Sequence, residues 1–95
     1  MNGLPEPDVR RTVQITNQRG LHARASARFV QLAETFNASI EVERDGMTVP
    51  AVSIMGLMML AAGPGSEIEI RASGHEAEAA VNALVALVED RFGEE

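Results

Sequence analysis

The residues of this chain best suited to chemistry lie together in Gly20-Leu21-His22-Ala23-Arg24. A strand-like run, Thr12 to Thr16, ends in the turn signal Asn17-Gln18-Arg19-Gly20, and a helical pattern begins directly after His22. The spacing predicts an imidazole at the mouth of a helix, where the first backbone N–H groups lack intrahelical acceptors and the dipole is positive. Two residues on, Arg24 brings a guanidinium matched to phosphate oxygens. Neutral imidazole is nucleophilic near neutral pH, where hydroxyl and ammonium groups are not unless activated. A nucleophilic nitrogen beside an anion cradle, here the N–H groups of Ala23 and Arg24, is what a residue carrying a phosphoryl group requires. Taken alone, a histidine at a helix start is more often a plain turn residue.

A second constellation follows about thirty residues later. Val52-Ser53-Ile54-Met55-Gly56-Leu57-Met58-Met59-Leu60 is apolar almost all round. A short helix in so small a domain should turn a polar face to water, so this one is either deeply buried or docks a partner. Four of the five Met residues fall between Met47 and Met59, and their adaptable side chains suit a surface that fits several partners. Leu57 and Leu60 read as core, whereas Ile54, Met55 and Met58 stand open between core and docking. Ser53 reads as the cap of the short helix, worth about 0.5–2 kcal/mol. His75, beside Gly74, reads as a surface residue.

The elements that must position these residues are legible from periodicity. Thr12 to Thr16 alternates polar and apolar, and so does Ser39-Ile40-Glu41-Val42-Glu43. Asp45-Gly46 is a strong two-residue hairpin signal into Met47-Thr48-Val49, and Pro50 keeps that strand short or places it at an edge. Glu67-Ile68-Glu69-Ile70-Arg71 is the cleanest alternation. A helix is predicted from about Ala23 to Phe36, with Phe29, Val30, Ala33 and Phe36 on one face and Asn37 as a left-handed stop. A short helix is expected from Ile54 to Ala61, closed by Gly63-Pro64-Gly65. The last spans about Glu76 to Phe92, with Ala77, Val81, Leu84, Val88 and Phe92 on one face and Gly93 beyond its end. Every strand is apolar on one face only, which implies an antiparallel sheet with helices covering one side. The expectation is an α+β, open-faced β-sandwich in the order β-α-β-β-α-β-α: four antiparallel strands with three helices on one face. A ferredoxin-like sandwich is the nearest rival and fits the terminal helix and the short middle helix less well.

Composition narrows the chemistry. The 95 residues imply one domain, assigned here to 10–95 behind a flexible tail over 1–9. The tail, Met1 to Asp8, has no apolar stretch and does not read as a signal peptide. No run approaches bilayer length. The absence of Cys excludes disulfides and thiolate metal sites, and two His give no metal cluster. A net charge of −6 with three Phe as the only aromatics argues against nucleic-acid binding. Yet Arg10, Arg11, Arg19, Arg24 and Arg28 fall in the first third, which suits an anionic group or an acidic partner surface.

Together, at this separation and within this element order, the two motifs resemble HPr, the histidine-containing phosphocarrier family of the bacterial phosphoenolpyruvate-dependent phosphotransferase system. Gly20-Leu21-His22-Ala23-Arg24 is similar to its phosphorylation-site motif and Ser53-Ile54-Met55-Gly56 to its regulatory-serine motif, within about residues 10–92. The resemblance implies a phosphoryl group passing from enzyme I to His22 Nδ1 and on to a histidine of a IIA-type protein. It makes Arg24 a contact of the phosphoryl oxygens, and Leu21, Ile54, Met55 and Met58 a docking patch rimmed by Arg24 and Arg28. Ser53 becomes a target of an HPr kinase/phosphorylase. It also implies a cytoplasmic monomer that is a carrier rather than a catalyst, needs no cofactor or metal, and binds no nucleic acid or membrane. Ala25 stands where the family usually has Pro, a small loss of rigidity on the order of 0.4–1 kcal/mol. This variant resembles HPr-like proteins of Gram-negative lineages with regulatory, nitrogen-linked phosphotransferase systems. The alternative is a regulatory binding module acting through phosphorylated Ser53 with little carrier flux.

Overall fold

In the computed structural model, which describes residues 7–94, four strands form one sheet: β1 (Val9–Gln14), β2 (Ser39–Arg44), β3 (Met47–Pro50) and β4 (Glu67–Ser73). Their spatial order is β1-β4-β2-β3, every pair antiparallel. The register sets Val13 against Ile68, and Val42 between Ile70 and Val49. Because side chains alternate across a strand, these apolar residues all face one side. Onto that side pack α1 (Ala23–Ala33), α2 (Ile54–Met59) and α3 (Ala77–Glu89). The expected order and the one-sided helical cover are both present.

The core is the slab between sheet and helices, filled by Ile15, Phe29, Leu57, Ile70, Leu84 and Phe92 among others. On the open face, charge replaces oil. Arg71 of β4 pairs with Glu69, Glu41 and Glu43 at 2.6, 3.4 and 3.4 Å. The β2–β3 hairpin turns through Asp45 and Gly46, both at positive φ, as the Asp-Gly pair predicts. Pro50 ends β3 at the sheet edge, where its missing N–H breaks no ladder.

Element ends differ from expectation, each for a physical reason. β1 starts at Val9, so the chain joins the sheet one residue inside the span assigned to the tail. Asp8 already accepts a hydrogen bond from the Gly74 amide, and residues 1–6 of that tail lie outside the described residues. Helix α1 ends at Ala33 and not Phe36. Asn37 is not left-handed, and its carbonyl and amide instead meet the Glu76 amide and carboxylate at the start of the α3 region. Helix α2 stops at Met59 and Ala61 turns to φ 52°, while Arg44 donates to the Leu60 carbonyl beyond the helix end. Helix α3 stops at Glu89. A short turn, Arg91–Gly93, follows with three successive positive φ values of 56°, 56° and 76°. Phe92 still reaches the core, but by chain reversal and not by helical spacing.

Candidate functional site

The site is built where the turn after β1 meets the loop after α2. Gly20 has φ 62°, and a Cβ there would lie 2.3 Å from the Ala62 carbonyl oxygen, so only glycine fits. The Leu21 amide donates to that same carbonyl at 3.0 Å, pinning one loop to the other. The Ser26 hydroxyl, buried in the first turns of α1, donates to the Leu21 carbonyl at 3.2 Å. With both sides of Leu21 fixed, His22 is left as the extended N-cap of α1 (φ −73°, ψ 179°), its carbonyl accepting the Ser26 amide.

No side chain caps this helix start. The N–H groups of Ala23 and Arg24, in the first turn, therefore have no helical acceptor and present partial positive charge. Arg24 is exposed and has no hydrogen bond or ion pair with another described residue, so its guanidinium is available to an anion. Ala25 is fully buried beneath it, where a good helix former continues the turn.

The imidazole is partly enclosed. Its Nε2 lies 2.5 Å from Glu94 Oε2, and Glu94 Oε1 accepts from Asn17 Nδ2 at 3.1 Å. Asn17 is wholly buried, and the same Nδ2 donates to the Gly20 carbonyl at 2.9 Å. The hydrogen bond from His22, with that of Asn17 and the positive charge of Arg19 beside it, holds the Glu94 carboxyl below the usual carboxylate range against a smaller opposing effect of burial. Arg19, Leu21, His22, Met58, Ala62 and Gly63 help line a cleft of about 320 Å³. The two constellations, thirty residues apart in sequence, thus meet at one opening.

At the start of α2, Ser53 is the cap expected of it, its Oγ accepting the Gly56 amide at 2.9 Å. Gly56 permits this closeness, since a Cβ would come within 3.0 Å of both Ser53 Oγ and Val49 Cβ. Leu57 and Leu60 are core, whereas Ile54, Met58, Met59 and Met55 are exposed, Met55 by 74 %. Met47 and Val52 are exposed too, and Met58 lines the cleft.

Three expectations are revised. Leu21 is only 5 % exposed and belongs to the core, so it supports the cleft wall and offers no docking surface. Arg28 is committed elsewhere: its Nη1 donates to the Phe92 carbonyl at 2.5 Å and anchors the C-terminal turn. The basic residues do not form one patch. Arg10 lies 4.0 Å from Glu69 on the open sheet face and Arg11 donates to Asn82, leaving Arg19 and Arg24 near His22. His75 is exposed as expected. Asn17, Ser26 and Glu94 are the site residues that sequence reasoning missed, and Arg19 was named only as one of five arginines in the first third. The single hint was acidity directly after Gly93. Among the described residues no cluster could hold a metal ion, and no helix is long and apolar enough to cross a membrane.

Known proteins are similar to this chain in sequence and fold. The family model for the PTS HPr component phosphorylation site matches residues 9–90. Phosphocarrier protein HPr of Cupriavidus necator is 48 % identical over 86 residues, covering 90 % of this chain and 97 % of that protein. HPr-like protein Crh of Halalkalibacterium halodurans is 44 % identical over 81 residues, covering 85 % and 96 %. Among solved structures, HPr-C-His from Thermoanaerobacter tengcongensis matches with a TM-score of 0.88 at 46 % identity, covering 92 % of this chain and 98 % of that one. Phosphocarrier protein HPr from Bacillus anthracis matches with a TM-score of 0.81 at 51 % identity, covering 84 % and 95 %.

Proposed function

Because the chain belongs to the HPr family of phosphocarrier proteins, we propose that His22 accepts a phosphoryl group from phosphorylated enzyme I and hands it to a histidine of a IIA-type protein. The observation that supports this most is the uncapped start of α1, with an imidazole as its N-cap. A helix start contributes about 0.3–1 kcal/mol to an adjacent anion, up to about 2 in favourable geometry. That orients a phosphoryl group on Nδ1 without trapping it, as a carrier requires.

The N–H groups of Ala23 and Arg24 form the cradle, and the Arg24 guanidinium contacts phosphoryl oxygens or acidic groups of the partner during transfer. Partners dock on Ile54, Met55 and Met58, with Arg24 at the rim. Such encounters are brief, and a small interface of adaptable thioethers suits them. The protein is a cytoplasmic monomer, modified in passing rather than a catalyst, and it works without cofactor or metal.

Phosphorylation of Ser53 by an HPr kinase/phosphorylase regulates the traffic in this reading. It adds a charge of about −1.5 to −2 next to the docking patch and repels acidic partners while the fold persists. Incubation with enzyme I and phosphoenolpyruvate should give an acid-labile, base-stable phosphate that His22→Ala abolishes. Undiminished labelling of that variant sinks the assignment. Phosphate on Ser53 with none on His22, both donors being supplied, would replace the carrier by a regulatory binding module.

A further inference from the structure

We infer that Glu94 and Asn17 are positioning residues for His22: the Glu94 carboxylate keeps the proton on Nε2, leaving the Nδ1 lone pair as nucleophile, and retains that proton on the phosphorylated ring. The inference rests on the carrier reading above for its second half only.

An ionised carboxylate can only accept a hydrogen bond, so at 2.5 Å the proton between Glu94 Oε2 and His22 belongs to Nε2. Nδ1 has no hydrogen-bond partner among the described residues, and in this tautomer it carries the free lone pair. The carboxylate is held there by two tethers. Buried Asn17 donates to its second oxygen. Arg28 donates to the carbonyl of Phe92, whose ring is fully buried. Between Asp90 and Glu94 the chain runs through Arg91 and Phe92 at φ 56°, a conformation that L-residues adopt at a cost. Gly93 completes the reversal, and a Cβ on it would come within 2.7 Å of Arg28 Nη1. Strain of this kind persists where surrounding contacts over-determine it, and here its product is one carboxylate delivered to one ring nitrogen.

The transfer step balances without moving that proton. The Nδ1 lone pair bonds to phosphorus as the donor N–P bond breaks, and its electron pair returns to the donor nitrogen. When the donor is a phosphohistidine protonated on its own second nitrogen, it leaves as neutral imidazole. His22 becomes a phosphorylated imidazolium with Nε2–H still facing Glu94. The charged groups around the ring among the described residues are Glu94 from the C-terminal turn, Arg19 from the turn before α1 and Arg24 from the first turn of α1. A phosphorylated ring that keeps its Nε2 proton departs as neutral imidazole, whereas one that has lost it must depart as imidazolate, a far poorer leaving group, so Glu94 makes the bound phosphoryl group more mobile, toward acceptors and toward water alike.

Two variants separate the parts. Glu94→Ala removes the acceptor, and imidazole ¹⁵N resonances of the unphosphorylated protein should change from a single Nε2–H tautomer to a mixture with a measurable Nδ1–H population. Asn17→Ala should move the spectrum the same way. Glu94→Gln keeps an acceptor oxygen but not the charge, and after labelling by enzyme I its phosphohistidine should outlive the wild-type one about three- to tenfold at neutral pH. A purely structural role for Glu94 predicts no such gain in lifetime. An unchanged tautomer in Glu94→Ala overturns the positioning, and equal lifetimes overturn its extension to the phosphorylated ring. Failure to label the wild type at all overturns the carrier reading and that extension with it, while the ¹⁵N comparison still decides the positioning.

Discussion

The starts of α1 and α2 share an extended N-cap residue and differ in what that residue does. At α2, Ser53 turns its hydroxyl inward and accepts the Gly56 amide, so the helix satisfies itself. At α1, His22 directs its ring toward Glu94 and leaves the first amides unfilled. Stability and chemistry make opposite demands on the same four orphan N–H groups. A cap closes the site to any other anion; an uncapped start keeps it open and forgoes roughly a kilocalorie of helix stability. The molecule assigns one solution to each of these two helix starts.

Replacing His22 by Ser tests that contrast most sharply. His22→Ser should abolish acid-labile labelling outright. It should also stabilise the fold to thermal unfolding by about 0.5–1 kcal/mol, because a capping oxygen now takes an α1 amide. Loss of both label and stability would mean that the ring, through Glu94, is itself a structural element. The reciprocal change, Ser53→Ala, should cost about 0.5–2 kcal/mol in denaturant unfolding and leave labelling of His22 by enzyme I intact. A collapse of labelling would show that the two helix starts are not separable. The smallest effect is electrostatic. The folded-state Glu94 carboxyl is held below its ordinary value of 4.5, so its contribution is present above that pH and lost as pH falls through the depressed value. Wild type and Glu94→Gln should therefore differ by about 0.2–1 kcal/mol near neutrality and converge in acid. A gap that widens in acid would contradict the sign.

What the sequence disclosed, and what it hid, follows from range. The hairpin at Asp45-Gly46, the alternation of β4 and the cap at Ser53 are local, and each was legible within a few residues. His22 was legible because its turn, Gly20 and helix start are contiguous. The contact between Asn17 and Glu94 spans 77 residues, and no periodicity encodes it. Phe92 misled for a specific reason: at four residues past Val88 it continues the apolar stripe of α3, so spacing favours a longer helix. The reversal at Arg91 and Phe92 depends on Arg28, a residue of another helix. The arginines of the first third misled likewise, since nearness in sequence scattered onto three faces of the fold.

The strand order has a consequence for synthesis. β1 emerges first, yet its sheet neighbour is β4, whose first residue follows the end of β1 by roughly fifty positions. At translation rates of about 5–20 residues per second, β1 waits on the order of seconds for a partner. During that interval an unpaired strand invites pairing with other nascent chains. Arg10 and Arg11 lie in the first half of that strand, and adjacent positive charges oppose such pairing between copies. The carboxylate that meets His22 emerges later still, so a ribosome-bound chain already displays its histidine but not the finished site.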